Sequence, residues 1–312
     1  MEKLPNKEIE LSVVIPCLNE EETLDVCLEK ALGALEREGV SGEVIVADNG
    51  SIDGSVEIAR ERGVRVVFVE ESGYGCALMG GIEAARGKFV IMGDADDSYD
   101  FLEIPKFLAK LRKGFDLVQG CRLPAGGGRV MPGAMPFTHR YFGNPFFTLL
   151  TRWWFKAPIH DVYCGLRGFT KSHYEDLKQS CTGMEFAIEM IIKSSRTDCR
   201  IAEVPVTLHP DGRVAQTPHL RTYRDGWRDP PVFFDQLAAL VVSRARNICD
   251  PYWGDRLRIG HARDDAVRDQ LRPSYLTFFK LVYSVWVPVH YVRLAQQDLC
   301  GGIRTDRTRP EA

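Results

Sequence analysis

The sequence predicts an α/β protein with a mainly parallel sheet, and three observations lead to that prediction. Short apolar runs alternate with segments of helical apolar spacing through residues 11–120, which is the pattern of successive βαβ units. One run, residues 88–92, is soon followed by a cluster of carboxylates, as expected where a buried strand of a parallel sheet ends. The 312 residues, 45% of them hydrophobic, are enough for a sizeable core.

The first two βαβ units have the plainest patterns. Residues 11–15 form an apolar run, which we expect Pro16 to end because proline cannot donate to a β-ladder. Residues 21–38 place leucine and alanine side chains on one face of a helix. A polar turn over residues 48–54 precedes the second helix. In order, the predicted elements are strand 11–15, helix 21–38, strand 43–47, helix 55–62, strand 64–69 and helix 76–85.

The alternation continues and then changes at a glycine-rich segment, residues 124–129, which we expect to be a flexible loop. The rhythm is lost after Asp229-Pro230-Pro231. We therefore place a boundary near Gly226, between a domain over residues 1–226 and a partly helical tail over residues 227–312. The remaining predicted elements are strand 89–92, helix 103–112, strand 116–120, helix 139–155, helix 183–195 and strand 200–208.

Composition and charge argue against several classes of protein. The net charge of −3 is not that of a general nucleic-acid binder. The nine cysteines lack the spacing of a zinc site or of a disulfide framework, so we expect reduced thiols. Residues 1–8 lack the apolar core of a secretory signal. Residues 275–292 are apolar and aromatic, which is typical of a membrane interface and equally of a packing helix, and both interpretations stay open.

Two carboxylates, Asp94 and Asp96, alternate with Ala95 just past the apolar run. In an extended turn both can point the same way, at the edge where open α/β sheets bind ligands. Convergent carboxylates repel unless a cation lies between them, and Mg²⁺ commonly uses one or two carboxylates together with substrate phosphates. The alternative is a solvated acidic turn that opens the next helix. The residues Asp94-Ala95-Asp96 alone do not decide between a cation site and such a turn.

Further motifs stand in a fixed order around these acids. They are Pro16-Cys17-Leu18-Asn19-Glu20-Glu21, Asp48-Asn49-Gly50-Ser51-Ile52-Asp53-Gly54, Gly120-Cys121-Arg122, Asp161-Val162-Tyr163-Cys164-Gly165-Leu166-Arg167 and Gly183-Met184-Glu185-Phe186. Over residues 10–226 the set resembles the family 2 glycosyltransferases, and especially the branch that makes polyprenyl (dolichyl) phosphate mannose or glucose. The resemblance implies a glycosyltransferase A-type fold, Rossmann-like with flanking helices, followed by a C-terminal helical tail.

The resemblance also implies a nucleotide-sugar pocket at the ends of the first strands. The residues implied for this pocket are Pro16, Leu18, Glu20, Asp48, Ser51, Asp53 and Asp94. Asp94 and Asp96 would hold Mg²⁺ or Mn²⁺ against the diphosphate, with Asp96 counted among the catalytic residues. The family usually carries acids at both positions 48 and 49. Asn49 stands at the second here, which puts in doubt any role that needs a carboxylate there.

The acceptor decides which other residues are needed. A lipid phosphate is already anionic near pH 7, since its second pKa is about 6, and it requires a cationic cradle rather than a base. Arg122 and Arg140 are the candidates for both catalysis and acceptor binding, with Asn144 one helical turn beyond Arg140 on the same face. A sugar hydroxyl would need a base, for which Asp161 or Glu185 is the candidate.

The expected function is metal-dependent, inverting transfer of a hexose from GDP-mannose or UDP-glucose to a polyprenyl phosphate. Two alternatives stay open, namely transfer to a sugar hydroxyl of a glycan or glycolipid, and a weakly active nucleotide-binding relative. The expected partners are the nucleotide sugar, the lipid acceptor and a membrane surface, with no nucleic acid. The expected location is the cytoplasmic face of a membrane, as a peripheral protein, or the cytoplasm.

Overall fold

The computed structural model of the chain describes residues 8–214. The predicted boundary near Gly226 and the tail over residues 227–312, with its apolar segment, lie outside these residues and stay predictions. Within residues 8–214 no helix is long and apolar enough to cross a membrane. No disulfide links the cysteines of this part of the chain.

Strands and helices alternate along most of the described chain, as the sequence pattern predicts. The strands are β1 (Leu11–Cys17), β2 (Gly42–Asp48), β3 (Arg65–Phe68), β4 (Phe89–Met92), β5 (Leu117–Cys121), β6 (Arg129–Val130), β7 (Arg167–Thr170), β8 (Ile201–Pro205) and β9 (Thr207–Leu208). The helices are α1 (Leu24–Arg37), α2 (Ser55–Glu61), α3 (Tyr74–Ala84), α4 (Ile104–Leu111), α5 (Asn144–Phe155), α6 (Lys171–Leu177) and α7 (Phe186–Ser195). The sequence pattern did not predict β6, β7 or α6.

Seven strands form one sheet in the order β3-β2-β1-β4-β7-β5-β8. All pairs are parallel except those of β7, which runs antiparallel between β4 and β5. The α/β prediction with a mainly parallel sheet is confirmed. Because β1, β2 and β4 are parallel neighbours, the loops after them lie at one edge of the sheet, where the predicted site residues lie.

The prediction that Pro16 ends the first strand is wrong. β1 continues to Cys17, and Pro16 pairs with Ala47 of β2 in the parallel register. The pairing of β1 with β4 stops earlier, at Val14 opposite Met92. Alternate residues of a strand direct their backbone groups to opposite neighbours, so the missing N–H of Pro16 falls beyond the β4 ladder and breaks no bond.

Helices cover both faces of the sheet, and the central strands are buried throughout. Val13 of β1 belongs to the core cluster that contains residues of α1 and α4. Val14, on the opposite face, belongs to the cluster that contains residues of α3 and α7. Burial on both faces explains why β1 and β4 are mainly apolar and lack a regular polar alternation.

Candidate active site

Reciprocal hydrogen bonds lock the loop after β1 to the loop after β2. The N–H of Asn19 donates to Ser51 Oγ at 2.9 Å, and Asn19 Oδ1 accepts the N–H of residue 52 at 2.8 Å. The N–H of Glu21 donates to Asp53 Oδ2 at 3.1 Å, and Glu21 in turn accepts a backbone N–H just before α2. Ser51 and Asp53, both predicted for the nucleotide pocket, therefore brace these two loops against each other.

Asp48 lies buried at the end of β2, where the sequence predicts a base-binding carboxylate. Its Oδ2 accepts the N–H of Gly50 and its Oδ1 the N–H of Ser51, each at 3.2 Å. Each carboxylate oxygen has a second lone pair, so both can still accept a hydrogen bond from a ligand. Leu18, on the neighbouring loop, is 37% exposed and presents an apolar side chain at the same edge.

Asn49 ties this edge to the loop that leads into α3. Its side-chain Nδ2 donates to the carbonyl oxygens of Val69 (3.0 Å) and Glu71 (2.8 Å), and its Oδ1 accepts the N–H of Gly73 at 2.8 Å. A carboxylate accepts but cannot donate, so an aspartate here would set its charge against two carbonyl groups. The departure from the usual acid at position 49 therefore has a structural role.

Asp94 and Asp96 lie directly after β4, as expected from the apolar run that precedes them. The hydroxyl of Tyr74 donates to Asp94 Oδ1 at 2.8 Å. Ser98 donates to Asp96 Oδ1 through its N–H (3.0 Å) and its hydroxyl (2.6 Å). Burial, followed by the charge of Asp96, raises the pKa of Asp94 to about 6.

Two neighbouring carboxylates suit a divalent cation whose remaining ligands would be oxygens of a bound phosphate. Within residues 8–214 no group of three or more His, Cys, Asp or Glu side chains could bind a metal by itself. The charge of Asp96 disfavours ionised Asp94, and a divalent cation beside both would reverse that penalty. Two carboxylates with phosphate oxygens are a common donor set for Mg²⁺.

Sequence reasoning missed Arg213, which lies at this edge although it is far away in the chain. Its Nη1 donates to Glu20 Oε1 at 3.0 Å, and its Nη2 lies 3.8 Å from Asp96 Oδ2. The N–H of Gly212 donates to the backbone oxygen of Asp96 at 2.9 Å and fixes the segment there. Burial raises the pKa of Glu20 to about 7 against the opposing effect of Arg213. No periodic pattern surrounds Arg213, so nothing local in the sequence indicated it.

Arg122 and Asp161 form a buried ion pair. Nε and Nη2 of Arg122 donate to the two oxygens of Asp161 at 2.7 and 2.8 Å, and the Arg122 N–H adds a third bond. A further donation from Arg122 reaches the Tyr99 hydroxyl at 3.2 Å. Asp161 is 0% exposed, so its carboxylate orients Arg122 in this structure and is poorly placed to accept a proton from a substrate.

The predicted helix over residues 139–155 begins with one turn of π-helix, His139–Gly143, before α5. The N–H of Asn144 accordingly donates to the carbonyl oxygen of His139, five residues back. The placement of Asn144 on one face with Arg140 stays a prediction. Asn144 is buried and its Nδ2 donates to Met135 Sδ, whereas Arg140 is half-buried.

A groove of about 490 Å³ runs between the glycine-rich loop and α5, and we call it the Arg140 groove. Its lining includes two arginines and several apolar side chains. The residues that define it are Leu123, Arg140, Tyr141, Leu149, Arg152 and His160. Leu123 and His160 are chain neighbours of Arg122 and Asp161, so the groove adjoins the buried ion pair. Arg122 donates to the Tyr99 hydroxyl, which also accepts the N–H of Gly165, and Gly165 lies against the carboxylate of Asp94, so these contacts link the groove to the two acids.

Glu185 and Glu189 have different surroundings although both belong to the start of α7. Glu189 is 1% exposed and accepts from Lys193 and from the loop over residues 180–181, so it serves the fold. Glu185 is also buried, and its Oε1 accepts the N–H of Gly183 at 3.2 Å. Glu185 thus stays a candidate base, held by the loop that packs against the N-terminus of α3.

Known proteins resemble this chain in sequence. The model of glycosyl transferase family 2 matches residues 12–178. A low-salt glycan biosynthesis hexosyltransferase, Agl6 of Haloferax volcanii, is 42% identical over 219 residues, which cover 70% of this chain and 51% of Agl6. The chain thus spans about half of that relative's length. A dolichyl-phosphate hexose transferase of the same organism is 31% identical over 63% of this chain and 82% of its own length.

Solved structures resemble it in fold. Glucosyl-3-phosphoglycerate synthase from Mycobacterium tuberculosis, crystallised with Mn²⁺, UDP and glucosyl-3-phosphoglycerate, superimposes with a TM-score of 0.57 at 20% identity over 74% of this chain and 80% of that one. Its complex with Mg²⁺ and UDP gives a TM-score of 0.58 over similar shares, 74% and 80%. This likeness confirms the predicted glycosyltransferase A-type fold. From the family match and these relatives, the chain belongs to glycosyl transferase family 2.

Proposed function

We propose that this protein transfers a hexose from a nucleotide sugar to a polyprenyl phosphate, with inversion at the sugar carbon and with Mg²⁺ or Mn²⁺. The observation that carries the proposal is the short chain of contacts, through Arg122, Tyr99 and Gly165, that links Asp94 to the side of a groove with arginines and apolar walls. The dolichyl-phosphate hexose transferase relative supports the class of acceptor. The glycosyltransferase A-type structures with UDP and Mn²⁺ support the donor and the metal.

On the donor side, Asp48, Leu18 and the braced loops would form the nucleotide pocket at the end of the sheet. Asp94 and Asp96 would hold the cation, which supplies charge neutralisation for the departing diphosphate. Arg213 would face the same diphosphate once it releases its contact near Asp96, because its guanidinium already lies at that carboxylate. The bound donor would then have cations next to the bond that breaks.

On the acceptor side, an anionic phosphate oxygen can attack the sugar carbon without a protein base, and a single displacement inverts that centre. Arg140 and Arg152 are the arginines at the groove that would hold this phosphate through charge-assisted bonds. Arg122 would act from behind the groove, since its Nε, Nη1 and Nη2 already donate to Asp161 and Tyr99. Asn144 would support the turn that carries Arg140.

The substitution Arg140→Ala tests this acceptor site. We expect it to raise the apparent KM for polyprenyl phosphate by about 10- to 100-fold, because a charge-assisted hydrogen bond contributes about 1.5–3 kcal/mol. The affinity for the nucleotide sugar, measured by calorimetry, should stay within about twofold, since Arg140 lies on the acceptor side.

Arg129→Ala is the matched control, because Arg129 is an exposed arginine on β6 that does not line the Arg140 groove. It should leave both constants near those of the wild type. An unchanged KM for polyprenyl phosphate in Arg140→Ala, or an equal effect of both substitutions, would contradict the proposed site. A loss of transfer in Glu185→Gln with Arg140→Ala still active would favour a sugar hydroxyl as the acceptor.

A further inference from the structure

Helix α5 packs Phe155 into the core, but it also exposes large apolar side chains where a helix on an aqueous surface would present polar ones. The side that faces the protein carries Asn144, Thr148 and Thr151, all of them buried. The side that faces outward carries Phe146, Leu149 and Trp153, which are 47%, 65% and 71% exposed. A helix on an aqueous surface normally places its apolar residues inward and its polar residues outward.

The buried polar side is fully used by the fold. The hydroxyl of Thr148 accepts the N–H of Val162 at 3.2 Å, and the hydroxyl of Thr151 donates to the carbonyl oxygen of Phe147 at 2.8 Å. Rotation of the helix about its axis would break the bond between Val162 and Thr148, whereas the Thr151 bond lies within the helix. The outward face of aromatic and apolar side chains is a fixed feature of the surface.

The apolar surface extends beyond the helix. Phe137, Tyr141 and Phe142, in and just before the π-turn, are 68%, 55% and 59% exposed. The ring centroids of Phe137 and Tyr141 lie 4.7 Å apart, so these side chains form a cluster. We call the outward side chains of residues 137–153 the aromatic face. Contiguous exposed apolar surface of this kind marks a binding site for a protein or a membrane.

The charge around the aromatic face favours a membrane over a protein as its binding partner. The segment over residues 129–160 contains no Asp or Glu and four Lys or Arg, although the whole chain has a net charge of −3. Arg152 and Lys156 are exposed at the end of α5 that carries Trp153. Aromatic side chains flanked by cations and free of acids are typical of helices that lie in the interface of an anionic bilayer.

We propose that the aromatic face docks the protein flat on an anionic lipid bilayer. Tyr141 and Leu149 belong both to this face and to the Arg140 groove, so the groove opens where the bilayer would lie. A phosphate at the membrane surface would reach Arg140 from there, with its lipid chain still in the bilayer. The identity of the acceptor rests on the proposed function, whereas docking on lipid does not and can be tested without any acceptor.

The experiment is flotation of the full-length chain with vesicles that contain no polyprenyl phosphate. The vesicles are phosphatidylcholine alone or phosphatidylcholine with phosphatidylglycerol. The test variant is Phe146→Ser/Trp153→Ser, which changes two residues of the aromatic face outside the groove lining. The control is Val26→Ser/Phe68→Ser, which changes residues that are 42% and 60% exposed on α1 and β3.

We expect the wild type and the control to float with phosphatidylglycerol vesicles, more weakly at high salt. The test variant should bind about tenfold or more weakly, because two large apolar side chains no longer enter the bilayer. Its transfer to a short-chain, water-soluble phosphate acceptor should match that of the wild type.

Equal flotation of the test variant and the wild type would overturn the inference, as would a wild type that does not float. Analytical ultracentrifugation tests the alternative that a second copy of the chain, rather than a bilayer, contacts the aromatic face. A wild-type dimer that the two serines dissociate would make the face a contact between copies of the chain, and would also overturn the inference. None of these measurements depends on hexose transfer, so they test membrane docking independently of the proposed function.

Discussion

Replacement of Asp96 by asparagine should lower the rate of hexose transfer by about 100- to 1,000-fold while the protein stays folded. A metal that stabilises a leaving phosphate contributes several kcal/mol, and each 1.36 kcal/mol is a factor of ten in rate. Asparagine can still accept both hydrogen bonds from Ser98, so the loop keeps its shape. The measurements are initial rates with Mn²⁺ and calorimetry of Mn²⁺-dependent nucleotide binding.

The neighbouring carboxylate offers a matched control. Asp97 forms an ion pair with Lys30 at 2.6 Å instead of joining Asp94 and Asp96. Its φ of 57° is in the left-handed region, which asparagine also tolerates. Asp97→Asn should therefore transfer hexose at nearly the wild-type rate. An Asp96→Asn protein that is as fast as Asp97→Asn would remove the two acids from the proposed chemistry.

Asp161→Asn should cost about 3–5 kcal/mol of the free energy of unfolding. Loss of one member of a buried ion pair leaves the other charge without compensation in a site of low polarity. The pair of Arg122 and Asp161 is a buried ion pair of this kind. Asp161 is 0% exposed, Arg122 is 7% exposed, and two short side-chain bonds join them. Urea denaturation of both proteins measures the difference.

An exposed pair with the same geometry is the control. Arg112 donates to both oxygens of Glu10 at 2.7 and 2.8 Å, but at the surface of the protein. Glu10→Gln should cost less than about 1 kcal/mol, since solvent screens such pairs. A stable Asp161→Asn protein that has lost transfer would contradict the structural role of Asp161. It would make this carboxylate the base of a reaction with a sugar hydroxyl.

The parallel strands β1, β2 and β4 were predictable because they are largely buried on both faces and form apolar runs. β7 was not, because Gly168 and the buried Arg167 interrupt any such run. Arg167 is tolerated there since its guanidinium donates to the backbone oxygens of Cys164 and Ala187. Ala187 is 20 residues away in the chain, so a local pattern cannot indicate this acceptor.

The site residues, like the strands, fall into those that a local sequence pattern can predict and those that it cannot. The position of the two acids at the end of β4 could be inferred from sequence because a strand and its two carboxylates are adjacent in the chain. The partnership of Arg122 with Asp161, the approach of Arg213 to Glu20 and the amide bonds of Asn49 join residues that are distant in sequence. Arginines that look alike in sequence thus have different surroundings, with Arg122 held by a buried carboxylate and Arg140 at the groove.

Product analysis tests the central claim most directly. The full-length chain would be incubated with Mn²⁺ and radiolabelled GDP-mannose or UDP-glucose, together with polyprenyl phosphate or with the polyprenol of the same chain length. With one of the two donors, label should enter the organic phase when the phosphate is the acceptor and stay in the aqueous phase with the alcohol. Label on polyprenol but not on polyprenyl phosphate, or no transfer from either donor, would contradict the proposed function.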